Sequence, residues 1–331
     1  MNSETLTNTA ALGTASAPAP ARSPWPIVLG LLALAVMAAP WFGSAFVIHL
    51  AVQICLNVVI VNGLSIIDRA GQLSVGHSAA VAIGAYVAVL LGSALGLDSI
   101  SSTAAGVLVV TALFTFLGWI MLRLRGVYFV LVTYAFAELV RLVLLDATTI
   151  TGGASGIAGI APLSLAGFAL DSCERFYGLA LVAALFSIWL MFRIFNRPLG
   201  RAMVAVAANP ALAESVGLSV MRLQLVAFVI GSSMAALGGV LTARYIGFVS
   251  PESFTTAASV SFITMLVIGG RGSLWGPVVG AAVLTPLPEL FRGAVQTQHI
   301  FYGVALILIL RFLPGGIASL AGRLRSRAQP S

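Results

Sequence analysis

Residues 72–95 read QLSVGHSAAVAIGAYVAVLLGSAL and contain no Asp, Glu, Lys or Arg. About 20 consecutive apolar residues are enough to cross a bilayer as an α-helix, so this stretch predicts a transmembrane helix with a polar start. Nine further apolar stretches accompany it along the chain: 26–42, 44–67, 103–122, 126–145, 177–195, 223–246, 257–270, 274–290 and 299–313. The sequence therefore predicts an all-α polytopic membrane protein with about ten transmembrane helices.

The composition agrees with this fold class. Of the 331 residues, 60% are hydrophobic and 8% are charged, and the mean hydropathy is +1.06. Soluble domains carry about 25% charged residues, so a soluble enzyme and a nucleic-acid-binding protein are poor interpretations despite the net charge of +7. The 17 basic residues are all arginine, and a chain without lysine can form neither a P-loop nor a Schiff base.

The arginines also predict an orientation in the membrane. With the N-terminus in the cytoplasm, 13 of the 17 arginines flank the inner ends of the ten predicted spans, as the positive-inside rule requires. Both termini are then cytoplasmic. The chain divides into a disordered N-terminal arm at 1–23, a transmembrane domain at 24–315 and a basic cytoplasmic tail at 316–331.

The polar segment GQLSVGH opens the third predicted span, and Tyr86 follows within it. Polar groups that face lipid are costly, so Gln72, Ser74 and His77 should face protein or a water-filled cavity. One interpretation is an interrupted helix near 71–86 that lines a permeation path. The alternative is a capped helix start in which His77 is a packing residue.

The fifth predicted span contains two ionisable residues, Glu138 and Arg141. Charged groups inside a span are candidates for function, and Glu138 is therefore a candidate for the pathway or its gate. Their i,i+3 spacing also allows them to neutralise each other on one helix face. Structural pairing is the alternative interpretation.

Small residues recur at four-residue spacing on two predicted helices: Gly231, Ala235, Gly239, Gly272, Gly276 and Gly280. Small-xxx-small faces allow two helix backbones to touch inside lipid. Both sets are therefore predicted to be helix-packing faces of a compact bundle.

The longest inner connection, 196–222, predicts one short helix at about 210–216. Asn209 can cap this helix, Pro210 suits its first position, and Gly217 can end it. Leu212 and Val216 would form one apolar face. Such a helix could dock into a groove on a partner protein, or it could lie on the membrane surface.

Six stretches appear in a consistent order over roughly 45–315: GQLSVGHSAAVAIGAY (71–86), LRLRGVYFVLVTYAFAELVRLV (122–143), TGGASGIAGI (151–160), RPLGRAMVAVAANPALAESVGLSV (197–220), AFVIGSSMAALGGVLTARYIGFVSPESF (227–254) and IGGRGSLWGPVVGAAVLTPLPELFR (268–292). In these stretches the chain resembles the LivH/LivM family of branched-chain amino acid ABC transporter permeases, and it looks closest to the LivM type.

The resemblance implies a permease subunit of an ATP-driven importer in a bacterial inner membrane. Such importers combine two permeases, here a second LivH-like chain, with two cytoplasmic ABC ATPases and a periplasmic solute-binding protein. This chain itself would bind no cofactor, because ATP and Mg²⁺ belong to the ATPases. The family includes relatives for other amino acids, amides, urea and aromatic acids, so these motifs do not identify the solute.

The resemblance also implies that 197–220 contacts an ATPase, within a cytoplasmic coupling loop at 196–222. The candidate coupling residues are Arg201, Asn209, Pro210, Leu212, Ala213, Glu214 and Gly217. The candidate pathway residues are Gln72, Ser74, His77, Tyr86 and Glu138.

Two other functions are compatible with a polytopic chain. An ion-coupled secondary transporter would need an acidic relay, and Glu138 is the one acid well inside a predicted span. An intramembrane enzyme would need a catalytic constellation, and the predicted spans contain neither HExxH nor paired carboxylates at helical spacing. An ATP-driven importer remains the favoured interpretation.

Overall fold

The computed structural model describes residues 44–165, 168–170, 172–290 and 303. Within these ranges the helices are α1 (Ala45–Arg69), α2 (His77–Leu95), α3 (Ser99–Met121), α4 (Val127–Asp146), α5 (Thr148–Thr151), α6 (Cys173–Phe195), α7 (Pro198–Ala208), α8 (Pro210–Ser215), α9 (Val220–Ile246), α10 (Thr256–Gly269), α11 (Gly276–Leu284) and α12 (Pro286–Leu290). The strands are β1 (Ile157–Ala158), β2 (Ser164–Leu165), β3 (Phe168–Ala169) and β4 (Phe248–Val249), and two 3-10 helices cover Gly153–Ser155 and Pro251–Phe254.

Six of the described helices are long and apolar enough to cross a membrane: α1, α2, α3, α4, α6 and α9. They contain 19 to 27 residues, which at about 1.5 Å per residue matches a hydrocarbon core about 30 Å thick. They coincide with the predicted stretches 44–67, 72–95, 103–122, 126–145, 177–195 and 223–246. The chain is therefore an all-α, multi-pass membrane protein.

Two predicted spans, 257–270 and 274–290, correspond to shorter helices. α10 has 14 residues and α11 has nine, whereas a crossing needs about 20. A glycine turn separates them, and α11 ends at Leu284 shortly before Pro286, which cannot donate a backbone hydrogen bond. α10 and α11 pack against each other as a pair of short helices.

The remaining two predicted spans fall outside the described residues. They are 26–42 and, apart from residue 303, 299–313. The same holds for the predicted arm at 1–23 and tail at 316–331. Ten crossings and the position of both termini therefore stay predictions.

The glycines predicted as packing faces occupy two different environments. A Cβ placed on Gly231 of α9 would lie 2.5 Å from the Gly63 carbonyl oxygen of α1, so these two backbones touch. Gly276 and Gly280 likewise lie against the backbone of α10 and the turn before α11. The placement of Gly272 on a helix face is wrong, because it lies in the turn at φ +76°, and none of the described elements lies within 4 Å of its Cβ position.

α1, α2 and α9 form the centre of the bundle. Gly63 of α1 and Gly84 of α2 each allow a close approach to the backbone of α9. The rings of Phe114 in α3 and Phe129 in α4 both pack against Phe228 of α9. α3, α4 and α6 lie outside this centre and expose large apolar side chains: Leu108, Phe116, Trp119, Leu131, Leu139, Phe186 and Phe192. Such a surface suits hydrocarbon or another membrane subunit better than water.

The two ends of the bundle carry different charges. One end holds Asp68, Glu214 and eight arginines of the described residues, a net charge of +6: Arg69, Arg123, Arg125, Arg193, Arg197, Arg201, Arg222 and Arg271. We call it the arginine-rich end. The opposite end, here called the acidic end, has a net charge of −2 when the described side chains are counted: Arg141, Arg175, Arg244, Asp98, Glu138, Asp146, Glu174 and Glu252.

The connections at the acidic end form small sheets. β1 pairs antiparallel with β4, with Ile157 opposite Val249, and β2 pairs with β3. Arg244 at the end of α9 is buried and donates to Ser102 Oγ at 2.6 Å and to the Ala161 carbonyl oxygen at 3.2 Å. These contacts fasten the long 147–172 connection onto the bundle.

Candidate pathway and coupling site

Residues 70–76 join α1 to α2 as a non-helical segment, which we call the α1–α2 connection. Gln72 and Ser74 are buried within it, and α2 begins at His77 and continues without a break to Leu95. The predicted interrupted helix near 71–86 is therefore wrong. The non-helical residues lie between α1 and α2, because Gly71 adopts a φ of +80° and turns the chain after the end of α1.

Neighbouring helices hold the α1–α2 connection in place. A Cβ on Gly71 would lie 2.9 Å from the Ala207 Cα of α7, so the two backbones are in direct contact. The Val75 N–H donates to Thr133 Oγ1 of α4 at 3.2 Å. Since α7 belongs to the 196–222 loop, the predicted coupling region touches the predicted pathway segment.

His77 is buried at the start of α2. Its Nε2 lies 3.0 Å from the Ile60 carbonyl oxygen of α1, so Nε2–H donates and a neutral ring leaves Nδ1 as an acceptor. Nδ1 has no partner among the described residues, and the ring packs edge-on against Phe262 of α10. The next residue, Ser78, donates its N–H to Ser259 Oγ at 2.9 Å, and the two hydroxyls lie 2.8 Å apart.

Tyr86 lies further along α2 and is also buried. Its ring packs edge-on against Phe254, with 6.4 Å between the centroids, and its hydroxyl is unpartnered within the described part of the chain. His77, Ser78 and Tyr86 thus contact α10 and the 3-10 helix before it. We call this strip the α2–α10 face.

Glu138 belongs to an ion-pair network at the acidic end. Arg141 Nε donates to Glu138 Oε1 at 3.0 Å, and Arg141 Nη1 donates to Glu252 Oε1 at 3.3 Å. The first contact is the i,i+3 pairing that the spacing allows. The sequence did not indicate the contact between Glu252 and Arg141, because 111 residues separate them. Glu252 lies in the same 3-10 helix as Phe254, so the network borders the outer end of the α2–α10 face.

Two residues that contact the α1–α2 connection or the start of α2 had no signal in the sequence. Thr133 and Ser259 are buried hydroxyl residues inside apolar stretches. In a helix such residues commonly bond to their own backbone, so their type alone does not indicate a contact with another helix.

The 196–222 loop contains two helices, where the sequence predicted one. α7 begins with Pro198 at its first turn and packs Met203 among Ile66 and Phe195. Its other face, which includes Arg201, is exposed. The sequence predicts only the helix at about 210–216 in this connection, so α7 is an element that was not predicted.

α8 has the predicted capping pattern. The Leu212 N–H donates to Asn209 Oδ1 at 3.1 Å, and Pro210 occupies the first helical position. At the other end Gly217 adopts φ +86°, and its N–H donates to the Glu214 carbonyl oxygen at 3.0 Å. The short helix is therefore fixed at both ends by local sequence.

One side of α8 is packed and the other is free. Ala213 is buried in a small cluster with Val206 of α7 and Val220 of α9. Leu212 and Val216 are 62% and 70% exposed. Large apolar side chains at a charged end of the bundle suit neither water nor hydrocarbon, so this surface has the character of a protein-binding site.

Asp68 and Arg69 connect the end of α1 to the α10–α11 turn. Arg271 is ion-paired with Asp68, and the Asp68 carboxylate raises the pKa of the Arg271 guanidinium above its ordinary value. Arg69 Nη1 donates to the Gly272 carbonyl oxygen at 3.0 Å. The end of α1 thus contacts the turn between α10 and α11. The α1–α2 connection contacts the 196–222 loop, through Gly71 and Ala207.

The family follows from a direct match. Residues 46–313 match the model of the branched-chain amino acid transport system permease component, a range that includes the predicted pathway residues and the 196–222 loop. This chain belongs to that family. It is a family of transport permeases and not of enzymes.

Individual relatives agree with the family model. The high-affinity branched-chain amino acid transport system permease protein LivM of Escherichia coli K12 is 33% identical over 87% of this chain and 74% of its own length. The LivH permease of Salmonella typhimurium is 33% identical over 40% of this chain and 44% of its own length. A probable LivM of Methanocaldococcus jannaschii is 25% identical over 59% and 61%. No solved structure matches the chain.

Proposed function

We propose that this chain is the membrane-spanning permease subunit of an ATP-driven importer for branched-chain amino acids or a related small polar solute. Its family membership and its 33% identity to LivM over most of both chains carry the proposal. LivM is named as a branched-chain amino acid permease, so leucine, isoleucine and valine are the first solutes to test.

The energy source is proposed to lie on two cytoplasmic ABC ATPases. The chain has no lysine, so it cannot supply a P-loop of its own. ATP and Mg²⁺ would bind to those partners. The exposed apolar residues Leu212 on α8 and Val216 directly after it, with Arg201 on the exposed side of α7, suit the docking of such a partner.

A second, LivH-like permease and a periplasmic solute-binding protein complete the proposed assembly. The partial match to LivH supports a pair of related permeases, because the two types share sequence across the same family. The exposed apolar sides of α3, α4 and α6 offer surface for a membrane partner as well as for lipid. The binding protein would deliver the solute at the acidic end.

The bacterial inner membrane is the proposed location, with the arginine-rich end in the cytoplasm. A charge of +6 at that end against −2 at the other supports this orientation. Ten crossings with both termini inside complete the proposed topology, and the short helices α10 and α11 occupy two of the ten.

The proposed pathway follows the α2–α10 face from Glu138 at the outer end towards Gln72 and Ser74 at the inner end. The unpartnered Nδ1 of His77 and hydroxyl of Tyr86 can accept or donate hydrogen bonds to a passing solute. Movement of α7 and α8 on ATP binding would reach this path through the contact between Ala207 and the α1–α2 connection.

The test uses the complex as the cell makes it. The tagged chain is purified from its own membranes, its co-purifying subunits are identified by mass spectrometry, and the complex is reconstituted in liposomes. We expect uptake of labelled leucine, isoleucine or valine that requires both ATP and the binding protein. Uptake that proceeds without ATP and collapses with an ionophore would instead establish a secondary transporter.

The secondary transporter is the weaker candidate on structural grounds. Glu138 is hydrogen-bonded to Arg141 at 3.0 Å, so its carboxylate is neutralised and not free to relay protons.

A further inference from the structure

A polar pocket of about 400 Å³ opens at the arginine-rich end, between the end of α3 and the start of α9, with α8 at its rim. Its lining includes Trp119, Leu122, Arg123, Arg125, Glu214 and Gln224. We call it the arginine pocket. Its volume lies in the range, about 300–1,000 Å³, in which proteins bind small molecules.

The arginine pocket has more positive than negative charge. Arg123 packs over the Trp119 ring, with its guanidinium carbon 4.4 Å from the ring centroid. Arg125 Nη2 lies 3.6 Å from Glu214 Oε1, and both side chains are more than half exposed. An exposed pair at that distance is weak, so two guanidinium groups are available to an anion.

An apolar surface continues from the pocket along α3. Phe116, Trp119 and Ile120 are 61%, 53% and 47% exposed. Tryptophan is enriched where the hydrocarbon of a bilayer meets the headgroups. A ligand here would therefore meet two cations at one end and a lipid-facing stripe at the other.

We propose that the arginine pocket binds the phosphate headgroup of an anionic phospholipid from the inner leaflet, with an acyl chain along Phe116 and Ile120. Guanidinium groups bind phosphate oxygens through paired hydrogen bonds, and basic pockets between spans on the cytoplasmic side bind anionic headgroups. The proposal rests on the proposed orientation, which places this end at the inner leaflet.

The lipid would also act on the coupling helix. Glu214 lies on α8 and shares Arg125 with the proposed phosphate site. A bound phosphate competes with Glu214 for this guanidinium, so lipid occupancy would loosen the contact between α8 and the α3–α4 connection. The site thus offers a route by which membrane composition affects coupling.

The test measures lipid binding to the purified full chain by native mass spectrometry. We expect phosphatidylglycerol to be retained at one high-affinity site and phosphatidylcholine to be lost readily. Arg123→Gln and Arg125→Gln should each weaken the phosphatidylglycerol affinity about fivefold, the effect of one arginine near an anionic headgroup. Glu214→Gln should strengthen it, because it removes the competing carboxylate.

Arg193→Gln is the matched control, since Arg193 is exposed at the same end on α6, away from this pocket. It should bind phosphatidylglycerol as the wild type does. Equal losses in all three arginine variants would mean a general effect of surface charge and would overturn the site. Displacement of the lipid by inorganic phosphate alone would overturn it too, by identifying a soluble anion as the ligand. Transport plays no part in this readout, so failure here leaves the permease function standing.

Discussion

The α1–α9 interface and the α7–α8 surface differ in how completely their residues are packed against other parts of the chain. At the interface, Gly63 and Gly231 bring two backbones into contact, so this surface is fully packed within the chain itself. On α8, Leu212 is 62% exposed although it is apolar. The first region specifies the fold, while the second leaves apolar side chains exposed where the proposed ATPase would dock. Substitutions should therefore separate folding from assembly.

The largest effect is expected for Gly231→Val, which tests the packed side of the comparison. The new Cβ would lie 2.5 Å from the Gly63 carbonyl oxygen and from Ile67 Cγ1. Overpacking of this kind costs about 1–3 kcal/mol and often more where backbone must move. We expect a large loss of monodisperse protein on size-exclusion chromatography and a lower unfolding temperature.

Gly178→Val is the control for that experiment. Gly178 lies on α6, and no other helix of the described part of the chain comes within 4 Å of its Cβ position, so this variant should fold as the wild type does. Equal yields from both variants would show that the α1–α9 contact tolerates a side chain and would remove the contrast.

Gly217→Pro tests the exposed side of the comparison. Proline requires φ near −65°, whereas Gly217 adopts +86° and donates its N–H to the Glu214 carbonyl oxygen. We expect the C-terminal end of α8 to unwind. ATP-dependent uptake and ATPase co-purification should each fall about tenfold, which corresponds to about 1.4 kcal/mol of lost binding free energy at an interface. Insertion and thermal stability should stay close to wild type.

Gly217→Ala gives the graded comparison for that variant. Alanine can adopt the left-handed conformation at a cost of about 1–2 kcal/mol and keeps the N–H donor. Its uptake should fall between those of the wild type and Gly217→Pro. If Gly217→Pro retains its ATPases and normal uptake, α8 is not the coupling helix.

Hydropathy predicted the six long spans because each contains about 20 apolar residues. It did not predict how short α10 and α11 are, because glycine geometry sets their length. Gly270 and Gly272 adopt φ +118° and +76° and turn the chain early, and Gly276 then packs against backbone. A count of apolar residues contains no information about such turns.

In the candidate site, too, local features could be predicted and contacts between distant elements could not. The ends of α8 could be predicted because Asn209, Pro210 and Gly217 act on their immediate neighbours. The contact of Arg141 with Glu252 could not, since it depends on how distant elements pack. The interrupted helix was wrong because Gly71 ends one helix and does not break the next.

Gly71→Ala probes the point where the two regions meet. Its Cβ would lie 2.9 Å from Ala207 Cα, and φ is +80°. We expect α7 to be displaced from the α1–α2 connection, which lowers the number of amino acids taken up per ATP hydrolysed by about twofold to fivefold, equivalent to about 0.4–1 kcal/mol.

Gly96→Ala separates that displacement from backbone strain. Gly96 has a similar φ of +60°, but no other element among the described residues lies within 4 Å of its Cβ position, so this variant carries the strain without the collision. Its uptake per ATP should equal that of the wild type. A matching loss in both variants would assign the effect to strain and not to contact with the coupling loop.

Asn209→Ala should give the smallest effect, because it alters one hydrogen bond at the start of α8. Loss of an N-cap costs about 1 kcal/mol, here the bond from Leu212 N–H to Asn209 Oδ1. Because Ala213 remains buried against α7 and α9, α8 should stay folded most of the time, and uptake should fall by less than about twofold. Asn209→Asp keeps a capping oxygen and should restore full uptake. A severe loss in Asn209→Ala that Asn209→Asp also shows would mean that the amide itself contacts the ATPase.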